Sequence, residues 1–287
     1  MSNQIEKNYV NQFRSNLELG LQQKGSKLEQ TVRVETQKAE FDYYDSIGAT
    51  KARRVTERHG DTPLISTPHD RRRVGLVDYD WADLIDKKDK IRLLADPTSS
   101  YQVNARYAMG RARDEEIINA FYGKAYTGKD GATEVSFKSG NIISAGQTET
   151  GLTIAKLIDA RTIALEKQND PDEEWFVGIT AKQLNNLLNE DKIQSQDYNN
   201  IKALVEGKVD TFMGFKFIVS ELFQKVGNDR LCPVWCKSGM LLAVGEDITV
   251  DVSVRNDKRN ATQIYVAQSI GATRMHEDKV FQIKCKE

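Results

Sequence analysis

The sequence predicts an α+β fold, and three observations support this class. Val77, Tyr79 and Trp81 alternate with acidic residues, which is the period of a strand that is wet on one face. From about Thr98 to Tyr122 no proline interrupts apolar residues spaced three or four apart, which predicts one long helix. The segment after residue 240 returns to apolar β segments. We therefore expect strands near both ends of the chain to pair with one another.

The composition is that of a globular chain of one elaborated domain or two. The 287 residues are 39% hydrophobic and 29% charged, with a net charge of −1. No apolar run approaches the roughly 18 to 20 residues of a membrane helix, and the N-terminus lacks a signal-peptide core, so we expect the protein to work in the cytoplasm. Cys232, Cys236 and Cys285 fit neither a CxxC metal spacing nor a disulfide framework. We expect buried thiols, with pairing of Cys285 in an assembly as the alternative.

The first residues of the chain, 1–44, have the character of an arm rather than of a domain. Tyr9, Phe13, Leu17 and Leu21 are spaced four apart in a background rich in Gln, Asn and Lys. This spacing predicts one apolar stripe on a short helix. Because such a helix is not stable alone in water, we expect it to dock on another surface.

Residues 41–91 predict a long strand pair that carries basic charge near its turn. Gly60, Pro63 and Pro68 mark the turn, and Val77 to Asp83 is the expected outgoing strand. Between Lys51 and Arg73 there are seven Lys/Arg residues against three Asp/Glu, in a chain of net charge −1. This excess predicts a projecting basic hairpin that contacts another molecule.

The long helix should begin near Asp96-Pro97-Thr98-Ser99, with Asp96 or a nearby hydroxyl residue as N-cap, and end before Gly123. About 25 residues at 1.5 Å per residue span on the order of 37 Å. The helix is polar for its length, so we expect one narrow face to pack and the rest to be wet or to meet neighbours.

Further elements follow the long helix. We expect a helix at about Leu152 to Gln168, then a strand at Trp175 to Ile179 and a helix capped by Thr180. Residues 211–219 predict a strand region. The four β segments of the C-terminal part are 240–245, 248–254, 263–268 and 280–284.

No motif of a known catalytic, cofactor or metal site occurs in the sequence. Walker A, GxGxxG after a strand, HExxH and GxSxG are absent. His59 and His69 flank the turn, but no Cys or carboxylate completes a ligand spacing. Asp78, Asp80 and Asp83 lack a glycine-containing loop of the EF-hand type. We therefore predict that the protein is not an enzyme and has no cofactor or metal site.

The basic hairpin is better suited to an acidic protein neighbour than to nucleic acid. A nucleic-acid binder normally has a basic domain with aromatic platforms, whereas this chain has a pI of about 6.4. The long helix of another copy would supply the acidic residues of such a contact. The alternative is that the arginines and carboxylates are ordinary solvated surface charges. The predicted contact between copies comprises Arg53, Arg54, Arg58, Arg71, Arg72, Arg73, Asp114, Glu115 and Glu116.

The order of these parts, together with several short segments, resembles the HK97-fold major capsid protein of a tailed bacteriophage. The matching segments are Asp45-Ser46-Ile47-Gly48, His59-Gly60-Asp61-Thr62-Pro63, Arg71-Arg72-Arg73-Val74, Asp78-Tyr79-Asp80-Trp81-Ala82-Asp83, Gly214-Phe215-Lys216-Phe217-Ile218-Val219-Ser220 and Gly271-Ala272-Thr273-Arg274. The resemblance covers nearly the whole chain.

The resemblance implies a division of the chain and a function. The implied parts are the N-terminal arm at 1–44, the E-loop hairpin at 45–92, the peripheral domain with its spine helix at 93–169, the axial domain at 170–240, and the return strands of the peripheral domain at 241–287. Many copies, as hexamers and pentamers, would form an icosahedral shell around double-stranded DNA with weak non-specific contact. A separate scaffolding protein and a portal are implied partners, with assembly in the host cytoplasm and a final place in the virion. Lys51 lies at the hairpin base and the tip has no lysine, so we expect a shell without covalent crosslinks.

Two other readings remain open at this point. An encapsulin, the shell of a cellular nanocompartment, has the same fold and differs in what it packages; the stripe from Tyr9 to Leu21 would serve as its N-terminal helix. An α+β enzyme or binding protein with a dimerisation arm is the other, and against it stands the absence of a nucleophile, base and orienting residue that converge.

Overall fold

The computed structural model describes residues 22–54, 56, 60–62, 64–86, 98–144, 150–170, 172–189 and 211–287. The chain forms two compact units. The first contains Met1–Ser26, Asp78–Ala112 and Glu246–Gln268, and the second contains Lys27–Val77, Arg113–Gly245 and Ser269–Glu287.

The described ranges contain fifteen strands and three α-helices in an α+β arrangement. The strands are β1 Arg33–Thr36, β2 Phe41–Ile47, β3 His69–Gly75, β4 Val77–Ile85, β5 Ala125–Thr127, β6 Thr133–Val135, β7 Ile142–Ile143, β8 Trp175–Ile179, β9 Thr211–Phe212, β10 Phe215–Val219, β11 Lys225–Val226, β12 Asp229–Cys236, β13 Met240–Arg255, β14 Ala261–Arg274 and β15 Val280–Lys286. The helices are α1 Thr98–Tyr122, α2 Ile154–Glu166 and α3 Ala181–Leu188.

The largest core lies in the second unit, on a sheet of order β7-β15-β12-β8-β10-β9, with β11 paired to β12. Strand β8 is buried along its whole length, as its run Trp-Phe-Val-Gly-Ile requires of a strand covered on both faces. It pairs in parallel with β10 and antiparallel with β12. Apolar residues of α2 and α3, such as Leu157 and Leu187, complete this core.

The first unit is built on the N-terminal part of α1. Ala105 and Met109 of this helix pack with Ile85 of β4 and with Ile264 and Val266 of β14. The amide of Gln268 donates a 3.0 Å hydrogen bond to the carbonyl oxygen of Met109. One face of the polar helix is therefore packed, as predicted.

Strands from the two ends of the chain do pair. In the second unit β1 runs parallel to the beginning of β13, with Arg33 opposite Leu241 and Thr36 opposite Val244. Val74, Leu241, Ala243 and Met275 form a small core beside this pair.

The hairpin differs from the prediction in its second strand. Strand β2 pairs with β3, from Phe41 opposite Gly75 to Ile47 opposite His69, and not with the strand that begins at Val77. That later strand, β4, follows directly and pairs with β14 instead. The hairpin is also not isolated, since β3 pairs with β5 in a sheet of order β2-β3-β5-β6. The predicted alternation in β4 holds through Asp80, but Asp83 falls on the same face as Trp81.

The helices and most strands confirm the predictions. Helix α1 has the predicted bounds, although its predicted cap, Asp96, lies outside the described residues. Helices α2 and α3 and strand β8 lie where expected, with Thr153 and Thr180 as N-caps. The arm stripe from Tyr9 to Leu21 also lies outside the described ranges.

Three details of the β structure go beyond or differ from the predictions. Residues 211–219, the predicted strand region, form the two strands β9 and β10, joined by a two-residue turn in which Met213 and Gly214 have φ of 53° and 80°. The segments 240–245 and 248–254 are one continuous strand, β13. Strand β12, a central strand of the largest sheet, was missed because Pro233 and two cysteines interrupt its pattern.

The cysteines are buried thiols, as expected. Cys232, Cys236 and Cys285 are fully buried and free, so Cys285 is not available for pairing in an assembly. Burial raises the pKa of Cys236 to about 11. Within the described ranges no helix is long and apolar enough to cross a membrane, and no three His, Cys, Asp or Glu residues group as metal ligands.

Candidate subunit interface

One face of the hairpin β2–β3 is exposed and carries aromatic and charged residues. Phe41, Tyr43 and Asp45 point to this face because they alternate with half-buried residues along β2. The register places Tyr43 opposite Arg73 and Asp45 opposite Arg71. Aromatic rings and guanidinium groups are the side chains most enriched at the energetic centres of protein interfaces.

Arg71 has partners within the hairpin. Its Nε lies 2.6 Å from Oδ1 of Asp45, and its guanidinium carbon lies 5.4 Å from the centre of the Tyr43 ring. This hydrogen bond lowers the pKa of the Asp45 carboxyl and raises the pKa of Arg71. The pair is exposed, so it orients Arg71 while contributing little to stability.

Arg73 is held between two aromatic rings. Its guanidinium carbon lies 5.0 Å from the centre of the Phe41 ring and 4.9 Å from that of Tyr126. Stacking of this kind restricts the side chain while leaving its N–H donors available at their edges. Arg73 is therefore an oriented cation on the exposed face.

Arg72 differs from the expectation. Strand alternation turns it to the opposite face of the hairpin from Arg71 and Arg73, where its side chain is 5% exposed. Its Nε donates to the carbonyl oxygen of Met275 at 3.3 Å. The run of three arginines is thus two surface residues and one internal residue, and Arg72 drops out of the predicted contact between copies.

The loop between β2 and β3 carries both charge and apolar surface. Arg53 and Arg54 are exposed, whereas Arg58 lies outside the described residues. Leu64 is 98% exposed and Ile65 is 52% exposed. Sequence reasoning missed this apolar pair, although its position in a polar segment between two prolines is a detectable signal.

The acidic residues of α1 have three different environments. Asp114 is fully buried, and its carboxylate accepts hydrogen bonds from the backbone N–H groups of Lys27 and Leu28 at 3.0 to 3.1 Å. These hydrogen bonds fix the arm segment to the helix, so Asp114 is not available for the predicted contact between copies. Glu116 is half-buried, and Glu115 alone of the three is exposed.

The end of α1 is closed by a buried arginine that sequence reasoning did not single out as functional. Arg274 is fully buried, and its Nη1 donates to the carbonyl oxygens of Ala120 and Phe121 at 3.0 Å each. Its Nε lies 3.2 Å from the Glu277 carboxylate. A cation at the C-terminal carbonyls matches both their hydrogen-bonding need and the helix dipole.

Nearly the whole chain matches a known protein family. A family model described as phage capsid protein matches residues 5–287. The chain belongs to the phage capsid protein family. No curated protein sequence matches this capsid protein.

Solved structures of phage capsids and of a GTA capsid share the fold at low sequence identity. The capsid of Ralstonia phage GP4 is 10% identical, with 97% of this chain and 95% of that chain covered and a TM-score of 0.77. For the capsid of the cyanophage P-SCSP1u the identity is 13%, the coverage 97% and 93%, and the TM-score 0.73. The capsid of a native GTA particle is 12% identical, with 97% and 96% covered and a TM-score of 0.69.

The family and the fold together confirm the central prediction from the sequence. This capsid protein has the HK97-type fold and is a major capsid protein, which self-assembles in many copies into an icosahedral shell. It is a structural protein of the virion capsid.

Proposed function

We propose that this capsid protein encloses double-stranded DNA in a shell of hexamers and pentamers, and that the β2–β3 hairpin is an E-loop lying on a neighbouring subunit. The observation that carries this proposal is the exposed pair Leu64 and Ile65 at the hairpin loop. Exposed apolar side chains are stabilised when a partner covers them, and a closed shell supplies the same partner to every copy.

The division of the chain follows the same proposal. The N-terminal arm (1–44), E-loop (45–92), spine-helix region (93–169), axial domain (170–240) and return strands (241–287) would each keep the role of the corresponding part of an HK97-type subunit. Because β4 leaves the hairpin after Gly75, the hairpin of the proposed E-loop is the shorter β2–β3 pair. A separate scaffolding protein and a portal complete the set of partners, with assembly in the host cytoplasm.

Charge supports a weak contact with DNA and a shell without crosslinks. The chain has a net charge of −1, and the Asp45 carboxylate offsets Arg71 on the hairpin. A wall of low net charge holds DNA without strong retention. The loop 48–68 contains one lysine, Lys51, near its beginning, and none at its tip.

The apolar contact is tested by the double variant Leu64→Ser/Ile65→Ser. The unassembled subunit should unfold at the same temperature as the wild type, because Leu64 buries almost nothing within the subunit. Shell yield should fall strongly, since a contact that buries both side chains loses about 3 to 6 kcal/mol. Electron microscopy and sedimentation measure the yield.

The matched control is Leu165→Ser, which removes a leucine that is 48% exposed on α2. Shells of normal yield from Leu165→Ser but not from the double variant support the E-loop contact. Normal shells from the double variant would show that the loop is only a solvated surface.

We propose that Arg53 and Arg54 meet Glu115 of another copy, since these are exposed members of the predicted contact. Arg54→Glu and Glu115→Arg should each reduce assembly through like-charge repulsion, and the combined variant should recover it. Salt should weaken the wild-type contact. Additive losses in the combined variant would mean that these residues do not meet.

A further inference from the structure

A groove of about 410 Å³ opens on the second unit, where the base of the hairpin β2–β3 meets the end of α1. Its large apolar side chains include Phe41 and Val77, each 46% exposed, and the half-buried ring of Tyr126. The small residues Ala120 and Ala272 line it from α1 and β14. Apolar side chains of a partner would therefore find apolar surface here that the subunit itself leaves uncovered.

Arg73 brings a positive charge to this groove. Its guanidinium carbon lies 5.0 Å from the centre of the Phe41 ring and 4.9 Å from that of Tyr126, and both rings line the groove. Within the ranges that the structure describes, no ion pair joins Arg73 to a carboxylate. The groove therefore offers an oriented guanidinium group beside its apolar side chains.

The other charged residues of the lining are Lys124 and Glu116. Lys124 is ion-paired with Glu134, which leaves Arg73 as the cation that a partner carboxylate can meet. Glu116 follows the exposed Glu115 on α1. The groove therefore adjoins the acidic residue that is already proposed to meet arginines of another copy.

The loop between β2 and β3 carries a set of side chains that complements the groove. Leu64 and Ile65 are exposed and apolar, and the exposed Asp61 lies just before them in the same loop. Asp61 has no ion-pair partner in the described part of the chain. A carboxylate beside two apolar side chains matches a guanidinium group beside apolar walls in both charge and polarity.

The loop of the same subunit does not fill the groove, since Leu64 is 98% exposed. The two features also lie at opposite ends of the hairpin. Phe41, at the groove, is the first residue of β2, and Ile47, beside the loop, is the last. At about 3.3 Å per residue these ends are roughly 20 Å apart. A second copy is therefore the source of a loop for this groove.

We propose that Leu64 and Ile65 of one copy fill this groove on the next copy, while Asp61 pairs with Arg73 there. The inference rests on the proposed E-loop contact and names the surface on which that loop lies. Because donor loop and acceptor groove are different parts of the same chain, the contact is heterologous. Heterologous contacts close into rings when the rotation between copies permits, as hexamers and pentamers require.

Crosslinking tests the partner surface directly. Shells formed from a mixture of two single variants, Leu64→Cys and Val77→Cys, are treated with a short bismaleimide. We expect dimers joined through positions 64 and 77, identified by peptide mapping. The native cysteines are fully buried and should not react. In the matched control Val226→Cys, at an exposed valine of the second unit outside the groove lining, replaces Val77→Cys and should give no such dimers.

Charge reversal tests the ion pair. Asp61→Arg and Arg73→Glu should each lower shell yield about tenfold, because each brings like charges together, and the combined variant should recover most of the loss. Arg73→Glu also removes the stacking on two rings, so the unfolding temperature of each unassembled variant is measured beside its yield. Asp61→Arg should unfold like the wild type, because Asp61 is exposed and unpaired within the described ranges.

The outcomes separate this inference from the E-loop contact on which it rests. Low shell yield from Leu64→Ser/Ile65→Ser, without crosslinks between positions 64 and 77, would keep the E-loop contact but place it on another surface and overturn the groove. Normal yield from that double variant would overturn both. A crosslink inside the unassembled variant Leu64→Cys/Val77→Cys would show that the groove holds the loop of its own subunit. Additive losses in the combined charge variant would likewise contradict the proposal.

Discussion

Buried charged side chains hold the subunit together at the arm, at the end of α1 and at the last residue of the chain. Asp114 accepts from the backbone of the arm segment, and Arg274 donates to the carbonyls that end α1. Glu287 has a side chain only 5% exposed and accepts from Arg230 and Lys225. Each of these three buried charges has a hydrogen-bonding or ionic partner within the subunit. A charged side chain can be buried at low cost only when it is paired in this way.

Glu287→Gln should destabilise the unassembled subunit by about 1 to 3 kcal/mol at pH 7, because it removes charge-assisted hydrogen bonds to Arg230. The Nε and Nη2 atoms of Arg230 lie 2.9 and 3.0 Å from the carboxylate. Urea unfolding measures the loss. Asp257→Asn, in the exposed pair with Arg255, is the control and should change stability little.

The same pair predicts a pH dependence. Arg230 holds the pKa of Glu287 well below its ordinary value of 4.5. The carboxylate therefore contributes its full stability above that ordinary value and loses it as the pH falls toward the lower pKa of the folded state. The difference between wild type and Glu287→Gln should stay constant from pH 7 to 6 and shrink below pH 4.5. A constant difference down to pH 3 would contradict this assignment.

Single residues also show where sequence reasoning stops. The basic excess of the hairpin is visible in the sequence, but the alternation of β3 that buries Arg72 depends on which residues form the strand. Asp114 and Glu115 are neighbours in a charged run, and only the position of the arm beside α1 separates the buried residue from the exposed one.

At the scale of elements, α1 and the arm segment meet at two glycines. A Cβ built on Gly110 would lie 2.6 Å from backbone atoms of Gly25 and Ser26, and Gly25 itself has φ of 78°. Arg111 donates to the side chain of Gln22 at 2.9 Å beside this contact. A glycine inside a helix normally weakens it, so Gly110 is explained by the close approach of the arm.

Gly110→Ala should therefore displace the arm segment from α1, although alanine normally favours a helix by about 1 kcal/mol. Trypsin should cut after Lys24 and Lys27 several times faster than in the wild type. Gly140→Ala is the control, because no heavy atom lies within 4 Å of the added Cβ. An unchanged cleavage rate with a higher unfolding temperature would show that the arm does not pack on Gly110.

Element prediction succeeded where local signals were complete. Helix α1 has a proline-free run with apolar residues at helical spacing, and β8 is a short apolar run between turn signals. Strand pairing was harder to predict from the sequence, because long-range packing determines which strands pair with β2 and β4. The sequence showed strands on both sides of the loop but not that β3 comes between β2 and β4.

At the scale of the whole molecule, the family and the fold make this chain a shell subunit. Leu64 and Ile65 are exposed on the loop, while Arg71 and Arg73 are oriented on the outer face of the hairpin. None of these is needed for the cores of the subunit. We expect them to stabilise contacts between copies, where the number of copies would multiply each small contribution.

The most direct test is electron microscopy of the purified protein, with and without co-expression of the proposed scaffolding protein. The absorbance ratio at 260 and 280 nm is measured on the same fraction. We predict closed icosahedral particles, with double-stranded DNA inside when they come from infected cells. Enzyme cargo without nucleic acid would indicate an encapsulin instead. Uniform particles of subunit size at every protein and salt concentration, even with the scaffolding protein present, would contradict the account.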